Sequence, residues 1–380
     1  MKRPNAYLAL ALFFFLLSSA ACSPNKGASK AEQQLRVGAI LPLTGDLAFL
    51  GNPERAALVV AAEEINEAED RDLELFIEDS RGQARDAVAA ARKLIDVHGV
   101  NLGIVSTSAL SNAVAPAFQE ADIPLITICS DGTVPERYNT AINFYANLEN
   151  EQEVMANYLE DQGIFSISTI RLNAQVTELG IELLQEFSGG TLSIVNDLAY
   201  SLANPDFRSL VARVKNDSSD AVYLMGYGVE FPALVRALRE LEVEKPIFGN
   251  YTFLSDAARV DEAGLYDGIH FTAFTITPED IAATDFGRAF AAEMGNAPGP
   301  FMDYVFVYEA MKTWNRALEA GVEPSQFAEH ARGLTFDTLF GTVTIDSTGN
   351  AVVPMAVGTY TDGGSVQLVV GTSEPAPTEL

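Results

Sequence analysis

LRVGAILPLTGDLAFLGNPERAALVVAAEEIN, residues 35 to 66, decides how the rest of the chain is read. Leu35, Val37, Ile40 and Leu41 form an almost continuous apolar run, the pattern of a strand buried on both faces of a parallel sheet. A loop with Thr44, Gly45, Asp46, Gly51 and Asn52 follows, and Pro53 opens an alanine-rich segment. Asn52 therefore reads as an N-cap and Pro53 as the first helical residue. Open parallel sheets bind small ligands just beyond the carboxyl ends of their strands, so this first loop is expected to be one wall of a binding cleft.

Beyond it the pattern repeats. Leu73 to Glu78 reads as a strand, Gln83 to Ile95 as an amphipathic helix stopped by Gly99, and Leu102 to Val105 as a strand. Ser106, Thr107 and Ser108 make a hydroxyl-rich turn, with a helix from Ala109 to Ala121 and a strand from Ile123 to Ile128. Strand-helix pairs with short connections build a doubly wound unit. Near Asn147 a second series begins, with strands at Ser166 to Leu172, Leu192 to Leu198, Ala221 to Met225 and Pro246 to Phe248. Helices separate them, one capped by Asn204 and opened by Pro205. The elements after 252 are too few to enclose a core of their own. The strand Ile269 to Phe274 and the helices Phe286 to Met294, Phe301 to Leu318 and Phe327 to Leu334 are assigned to the first unit, and the strands Gly341 to Ile345, Val352 to Thr359 and Val366 to Val370 to the second. The expected fold class is α/β, two doubly wound parallel-sheet lobes joined by three hinge crossings near 147, 252 and 336. Lobe 1 takes 35–147 plus 253–335, and lobe 2 takes 148–252 plus 336–371.

The ends of the chain read differently. Lys2 and Arg3, the apolar run Tyr7 to Leu17 and the small residues before Cys22 make an export signal over 1–21. The apolar run is too short to span a bilayer comfortably. Small residues leading to a cysteine resemble a bacterial lipoprotein signal, in which Cys22 becomes the lipidated first residue; Ser19 stands where that pattern usually has Leu. The competing reading is ordinary cleavage with an incidental cysteine. Residues 22–34 read as a polar tether and 372–380 as a disordered tail. With Cys22 committed, Cys129 is the only remaining thiol, so no intramolecular disulfide is expected. The net charge of -28 becomes -30 once Lys2 and Arg3 leave with the signal, and such a surface repels nucleic acid and anionic lipid.

With these elements in order, the chain resembles the periplasmic solute-binding proteins of branched-chain amino acid ABC transporters, the leucine-binding group within the type I periplasmic binding proteins. The resemblance rests on VGAILPLTGDLAFLG with AALVVAAEEIN, EDSRGQARDAVAAARKLI, GIVSTSALSNAVAPAFQEADIPLIT, NPDFRSLVARVKNDSSDAVYLMGYG and FGTVTIDSTGN, together covering nearly the whole exported chain. It implies two lobes closing on a small solute that is delivered to the permease subunits of an ABC transporter. It also implies a periplasmic or envelope location, a lipid anchor as the sole tie to the membrane, and a monomer.

Carried over residue by residue, the hydroxyl loop that holds a ligand carboxylate falls on Ser106, Thr107 and Ser108, with Thr107 the best match. The next loop falls chiefly on Cys129, Ser130 and Asp131, and the second-lobe tyrosine on Tyr227. Helix N-termini independently suit a carboxylate, because unpaired N-H groups and the helix dipole point outward there. Ser106 or Thr107 could equally cap its own helix, and Tyr227 could pack against Phe231. The family's second-lobe acid falls near Tyr251, which is uncharged at neutral pH. An aromatic-glycine pair falls near Thr177 and Glu178, and a first-lobe aromatic near Leu50, beside Phe49. These departures leave an amino acid, an amide or an aromatic acid as candidate solutes. If the solute carries an ammonium, Asp131 is the expected partner, with a plain turn role as the alternative.

An enzyme finds little support. The chain has no Gly-x-Ser-x-Gly elbow, no phosphate loop and no His-Glu-x-x-His, and Gly226-Tyr227-Gly228 lacks the rest of a dinucleotide fingerprint. His98, His270 and His330 sit on separate elements, so neither a metal nor a cofactor is expected. A sensing role through a separate membrane partner is the second functional reading.

Overall fold

The computed structural model describes residues 34–69, 72–203, 205–255, 264–295, 302–361 and 365–370. The signal, Cys22 and the two tails lie outside them.

The first passage lays down β1 (Leu35–Leu41), α1 (Ala48–Glu69), β2 (Leu73–Asp79), α2 (Ala84–Lys93), β3 (Leu102–Ser106), α3 (Ser108–Glu120), β4 (Leu125–Ile128), α4 (Thr133–Arg137) and β5 (Ala141–Asn143). The strands form a parallel sheet in the order β2-β1-β3-β4-β5. Every residue of β3 and β4 is buried, as continuous apolar runs require when helices cover both faces. The second passage gives α5 (Leu148–Asp161), β6 (Ser166–Leu172), α6 (Gln175–Phe187), β7 (Ser193–Tyr200), α7 (Phe207–Lys215), β8 (Ala221–Met225), α8 (Phe231–Glu240) and β9 (Ile247–Gly249). The last adds β10 (Ile269–Phe274), α9 (Pro278–Ala282), α10 (Asp285–Met294), α11 (Asp303–Glu319), α12 (Phe327–Ala331), β11 (Thr335–Thr338), β12 (Gly341–Ile345), β13 (Ala351–Val352), β14 (Met355–Tyr360) and β15 (Val366–Val370).

The α/β class with two predominantly parallel sheets is present, but the last passage is shared out differently from the expectation. β10 lies in the second sheet, whose order is β15-β14-β10-β9-β8-β6-β7, parallel to β9 and antiparallel to β14. It does not complete the first lobe. A strand buried on both faces declares that it is central, and its composition is silent about which of two sheets it joins. β12 is likewise not in the second sheet; it forms a small antiparallel sheet with β11 and β13, and the helix expected to run to Leu334 stops at Ala331, ahead of β11. That sheet is tied to the edge of the first one by the Asn143–Asn350 bridge and by Asn143 N-H donating to Gly349 C=O at 2.8 Å. The chain therefore passes between the sheets at 144–147, 275–277 and 353–354, so the later two passages are not near 252 and 336.

Two helix starts also differ. α1 begins at Ala48, and Asn52 lies inside it with its side-chain amide donating to the carbonyls of Leu43 and Ala48. The helix starts early because Gly51 lets it lie on the strand-end loop: a Cβ there would stand 2.4 Å from the Pro42 carbonyl oxygen. α7 is capped by Asp206, whose carboxylate accepts from Ser209 N-H; Asn204 is outside the described residues.

One apolar core runs from α1 and α11 on the first sheet to α8 on the second, and smaller clusters fill the α2–α3 and α5–α6 faces. Where the two halves of the large core meet, Tyr145, Tyr251, Phe274, Phe306 and Phe340 form a chain of ring contacts. Side chains of that size are each worth about 1.5–3 kcal/mol on full burial. The crossings at 144–147 and 275–277 are thus anchored by aromatics.

Candidate functional site

The site lies where the carboxyl ends of β3, β4 and β5 come up against the turn after β9. Ser106 ends β3, buried, with its hydroxyl beside the Glu54 carboxylate. Thr107 follows at φ 69°, a left-handed conformation that costs a β-branched residue of the order of 1–3 kcal/mol, and its side chain makes no cap bond to α3. Its N-H donates to Ile128 C=O, which locks the loop to β4. Ser108 opens α3, and its carbonyl accepts from Asn112. Of the two readings for this turn, a side-chain cap is absent, and a buried hydroxyl and a strained backbone face the cleft end of the sheet.

In the next loop Cys129 is a buried free thiol against Asn143, with its pKa pushed up by burial. Ser130 reaches the hydroxyl of Tyr251. Asp131 has both carboxylate oxygens engaged: one accepts from Thr133 N-H at 3.0 Å and from its hydroxyl at 2.6 Å, and the other from Asn112 at 2.8 Å. Despite some desolvation, these bonds and nearby Arg137 hold its pKa below the usual carboxylate range. The geometry is that of a turn residue.

Tyr251 comes from the second sheet. Its hydroxyl meets that of Tyr145, which in turn donates to Asp303 Oδ1 at 2.6 Å, and its N-H donates to Glu151 Oε1 at 3.0 Å. Thr272 Oγ1 donates to the same Glu151 oxygen at 2.6 Å. Burial raises the Glu151 pKa to about 7 and that of Asp303 to about 6. Glu54, from α1, is 1% exposed. Burial first, and the charge of Asp303 second, push it well above the usual range, with the Ser106 hydroxyl beside it. Ser106, Glu54, Asp303, Tyr145, Ser130 and Tyr251 are therefore one polar cluster drawn from both sheets.

Tyr227 lies half-buried after β8, and its N-H donates to Glu230 Oε1 at 2.9 Å, an oxygen that the Tyr200 hydroxyl also engages. Gly226 is required for this, because a Cβ there would stand 2.0 Å from Glu230 Oε1. Two further expected positions have these surroundings. Thr177 is buried and spends its hydroxyl on the carbonyls of Leu172 at 2.5 Å and Ala174 at 2.9 Å, fastening the start of α6. Leu50 lies in the first turn of α1, partly buried. Glu54 and Asp303 were missed because acids on helices read as solvated faces, and Tyr145 because it lies in a connection between elements; the one available signal was the apolar stretch around Asp303. Among the described residues no group of three or more His, Cys, Asp or Glu side chains is placed to hold a metal, and no helix is long and apolar enough to cross a membrane.

The profile of the periplasmic binding protein family matches residues 34–365. The Leu/Ile/Val-binding protein of Rhizobium johnstonii is 27% identical over 344 residues, covering 84% of this chain and 89% of that one. Among solved structures, a branched-chain amino acid transporter substrate-binding protein of Streptococcus pneumoniae in complex with isoleucine superposes with a TM-score of 0.76 at 19% identity, covering 89% of this chain and 99% of the other. A solute-binding protein of an ABC transporter from Rhodopseudomonas palustris, in complex with 3,4-dihydroxybenzoic acid, also gives 0.76 at 19% identity, over 89% and 96% of the two chains.

Proposed function

The chain belongs to the periplasmic binding protein family, and from that premise we propose that it captures a small amino acid or aromatic acid between its two lobes and hands it to the permease of an ABC transporter. Members of this family bind solutes and do not catalyse. The observation that carries the reading for this chain is the polar cluster in which Ser106, Ser130, Glu54 and Asp303 from the first-sheet side meet Tyr251 from the second. Buried polar groups are normally fully paired, and here the Ser106 hydroxyl and the Glu54 carboxylate have little beyond each other to bond to. A solute with hydrogen-bonding groups would satisfy them. The names of the relatives fit both solute classes, with isoleucine in one neighbour and a dihydroxybenzoate in another.

A thermal-shift panel of branched-chain amino acids, their amides and hydroxybenzoates tests the reading. A solute present at 100 times its Kd should stabilise the folded state by about 2.7 kcal/mol. If no compound of the panel raises the melting temperature, the assignment to these classes fails. The same proposal extends to location: Cys22 would carry a lipid anchor that holds the protein at the envelope outside the cytoplasm. Exchange of Cys22 for Ser should release the protein from membrane fractions, and unchanged membrane retention counts against the anchor.

A further inference from the structure

At the outer edge of the first sheet, the end of α3, the segment from α4 to β5 and the turn between β12 and β13 border an open hollow of about 490 Å³. Gln119, Arg137, Asn139, Arg332 and Ser347 line it, with Glu136 as the acid of the lining. None of them belongs to the polar cluster between the sheets.

The chain has 52 Asp and Glu against 24 Lys and Arg, so an arginine finds a carboxylate easily. Arg36, Arg55, Arg171, Arg208 and Arg316 each stand within 3.8 Å of one. Among the described residues Arg137 and Arg332 have no such partner. The acids that act on them through space are spent on their own turns. Asp131 is engaged by Thr133 and Asn112, and Asp346 by the N-H groups of Thr348 and Asn350 and the Thr348 hydroxyl. Glu136 is exposed and bonds to neither arginine. Burial lowers the Arg332 pKa in spite of Asp346, the sign of a cation short of counter-charge.

A guanidinium carries five N-H donors. Arg332 gives Nη2 to the carbonyls of Pro135 and Ala141, both at 3.1 Å, and one Nη1 hydrogen to Ser347 C=O at 3.3 Å. Its Nε and its second Nη1 hydrogen have no partner among the described residues. Arg137 spends Nε on Thr133 C=O and Nη2 on Asn112 and the Thr133 hydroxyl, which leaves both Nη1 hydrogens. The bonds already made hold both guanidinium planes in place, so a ligand pays little to order them. Gln119 turns its carbonyl oxygen to Thr140, leaving its amide donor, and the Ser347 hydroxyl has no partner among the described residues. Donors that arrive from four separate segments suit a tetrahedral oxyanion better than a planar carboxylate.

We propose that this hollow is a second binding site, which takes a phosphate group as free phosphate or a small phosphoester, with Arg137 and Arg332 supplying charge-assisted hydrogen bonds and Gln119 and Ser347 neutral ones. The site is independent of the solute cleft and stands or falls without it. The net charge of -28 does not bar it. At physiological ionic strength the Debye length is about 8 Å, so acids elsewhere on the surface are screened and the two guanidiniums set the local potential. An anionic bilayer would meet the whole acidic surface at once, which favours a free anion over a lipid headgroup.

Melting of the purified full chain in inorganic phosphate, sulfate and glycerol 3-phosphate, with potassium chloride at matched ionic strength as the blank, tests the site. Phosphate is expected to raise the melting temperature along a saturating curve, with sulfate and glycerol 3-phosphate doing likewise and chloride not. Ser347→Glu places a carboxylate in the hollow while keeping the backbone carbonyl that Arg332 grips, and Arg137→Gln removes one charge. Each should weaken the apparent phosphate affinity about tenfold or more, as loss of a charge-assisted contact does. Ser347 is exposed, so its variant should melt as the parent does in chloride, which separates a lost site from a lost fold. A rise no larger than that in chloride overturns the site. So does a rise that stays linear in concentration, which is the general salting effect of these anions, or a phosphate response that either variant retains in full. Flotation with phosphatidylglycerol vesicles should be equal for the parent and Ser347→Glu; vesicle binding that the variant loses would overturn the free anion in favour of a lipid headgroup.

Discussion

Glu151 is held inside α5 with its Oε1 accepting from Tyr251 N-H and Thr272 Oγ1, and its folded pKa of about 7 makes stability depend on pH. In the unfolded chain the same carboxyl titrates near 4.5. Between those values the folded state keeps a proton that the unfolded state has lost, so stability is full below pH 4.5 and declines as pH rises through 7. The decline assignable to Glu151 is of the order of 2–3 kcal/mol. Urea unfolding at pH 5 and pH 8 should show Glu151→Gln losing much less stability between the two than the parent does. An equal loss in both would place the pH sensitivity elsewhere. Asp131 has the opposite sign: its lowered pKa contributes stability above the ordinary carboxylate range that is lost as pH falls. Because its oxygens are committed to Thr133 and Asn112, Asp131→Asn should leave solute affinity within about twofold of the parent by calorimetry, and a loss greater than tenfold would return it to the site. At this scale the sequence shows hydroxyls at strand ends, since Ser106 to Ser108 and Ser130 follow apolar runs that must be buried. It conceals Glu54 and Asp303, whose meaning depends on two helices distant in sequence facing each other.

α1 carries Glu54 to the cluster, and its placement depends on a close approach at its first turn. Gly51 lies so near the Pro42 carbonyl that an added Cβ would stand 2.4 Å away, against backbone that cannot rotate aside. Gly51→Ala should therefore cost about 1–3 kcal/mol, the usual range for overpacking, and lower the melting temperature. Because the shift would move α1 relative to α11, it should also weaken solute binding, which calorimetry can read on the folded variant. Melting and affinity equal to the parent would mean that the helix end relaxes freely. The elements themselves were largely legible: the two strand-helix series, the Gly99 stop and the turn at Ser347 to Asn350 follow from periodicity and turn chemistry. Membership of a sheet was not. β10 and β12 read as strands, but hydrogen bonding to β9, β14, β11 and β13 decides their places, and no local pattern encodes a partner.

Over the whole molecule, the three chain passages at 144–147, 275–277 and 353–354 are the points about which two lobes could rotate, and the contacts of Tyr251 bridge them. Ser130 follows β4 in the first sheet, Tyr145 lies in the first passage, and Tyr251 follows β9 in the second sheet. The Tyr251 hydroxyl thus ties the second sheet to the first passage through Tyr145 and to the first sheet through Ser130. Its ring packs on Tyr145 and Phe274. Tyr251→Phe keeps the ring and removes the hydroxyl, and a net loss of about 1 kcal/mol favours the open form roughly fivefold. Small-angle scattering should then find a larger radius of gyration for solute-free Tyr251→Phe than for the solute-free parent, with saturating solute bringing both to the same compact value. The convergence matters as much as the difference, because a solute held from both sides supplies closing contacts that do not involve the hydroxyl. Identical scattering for parent and variant, with and without solute, would mean that these passages are rigid and that the solute enters without rotation of the lobes.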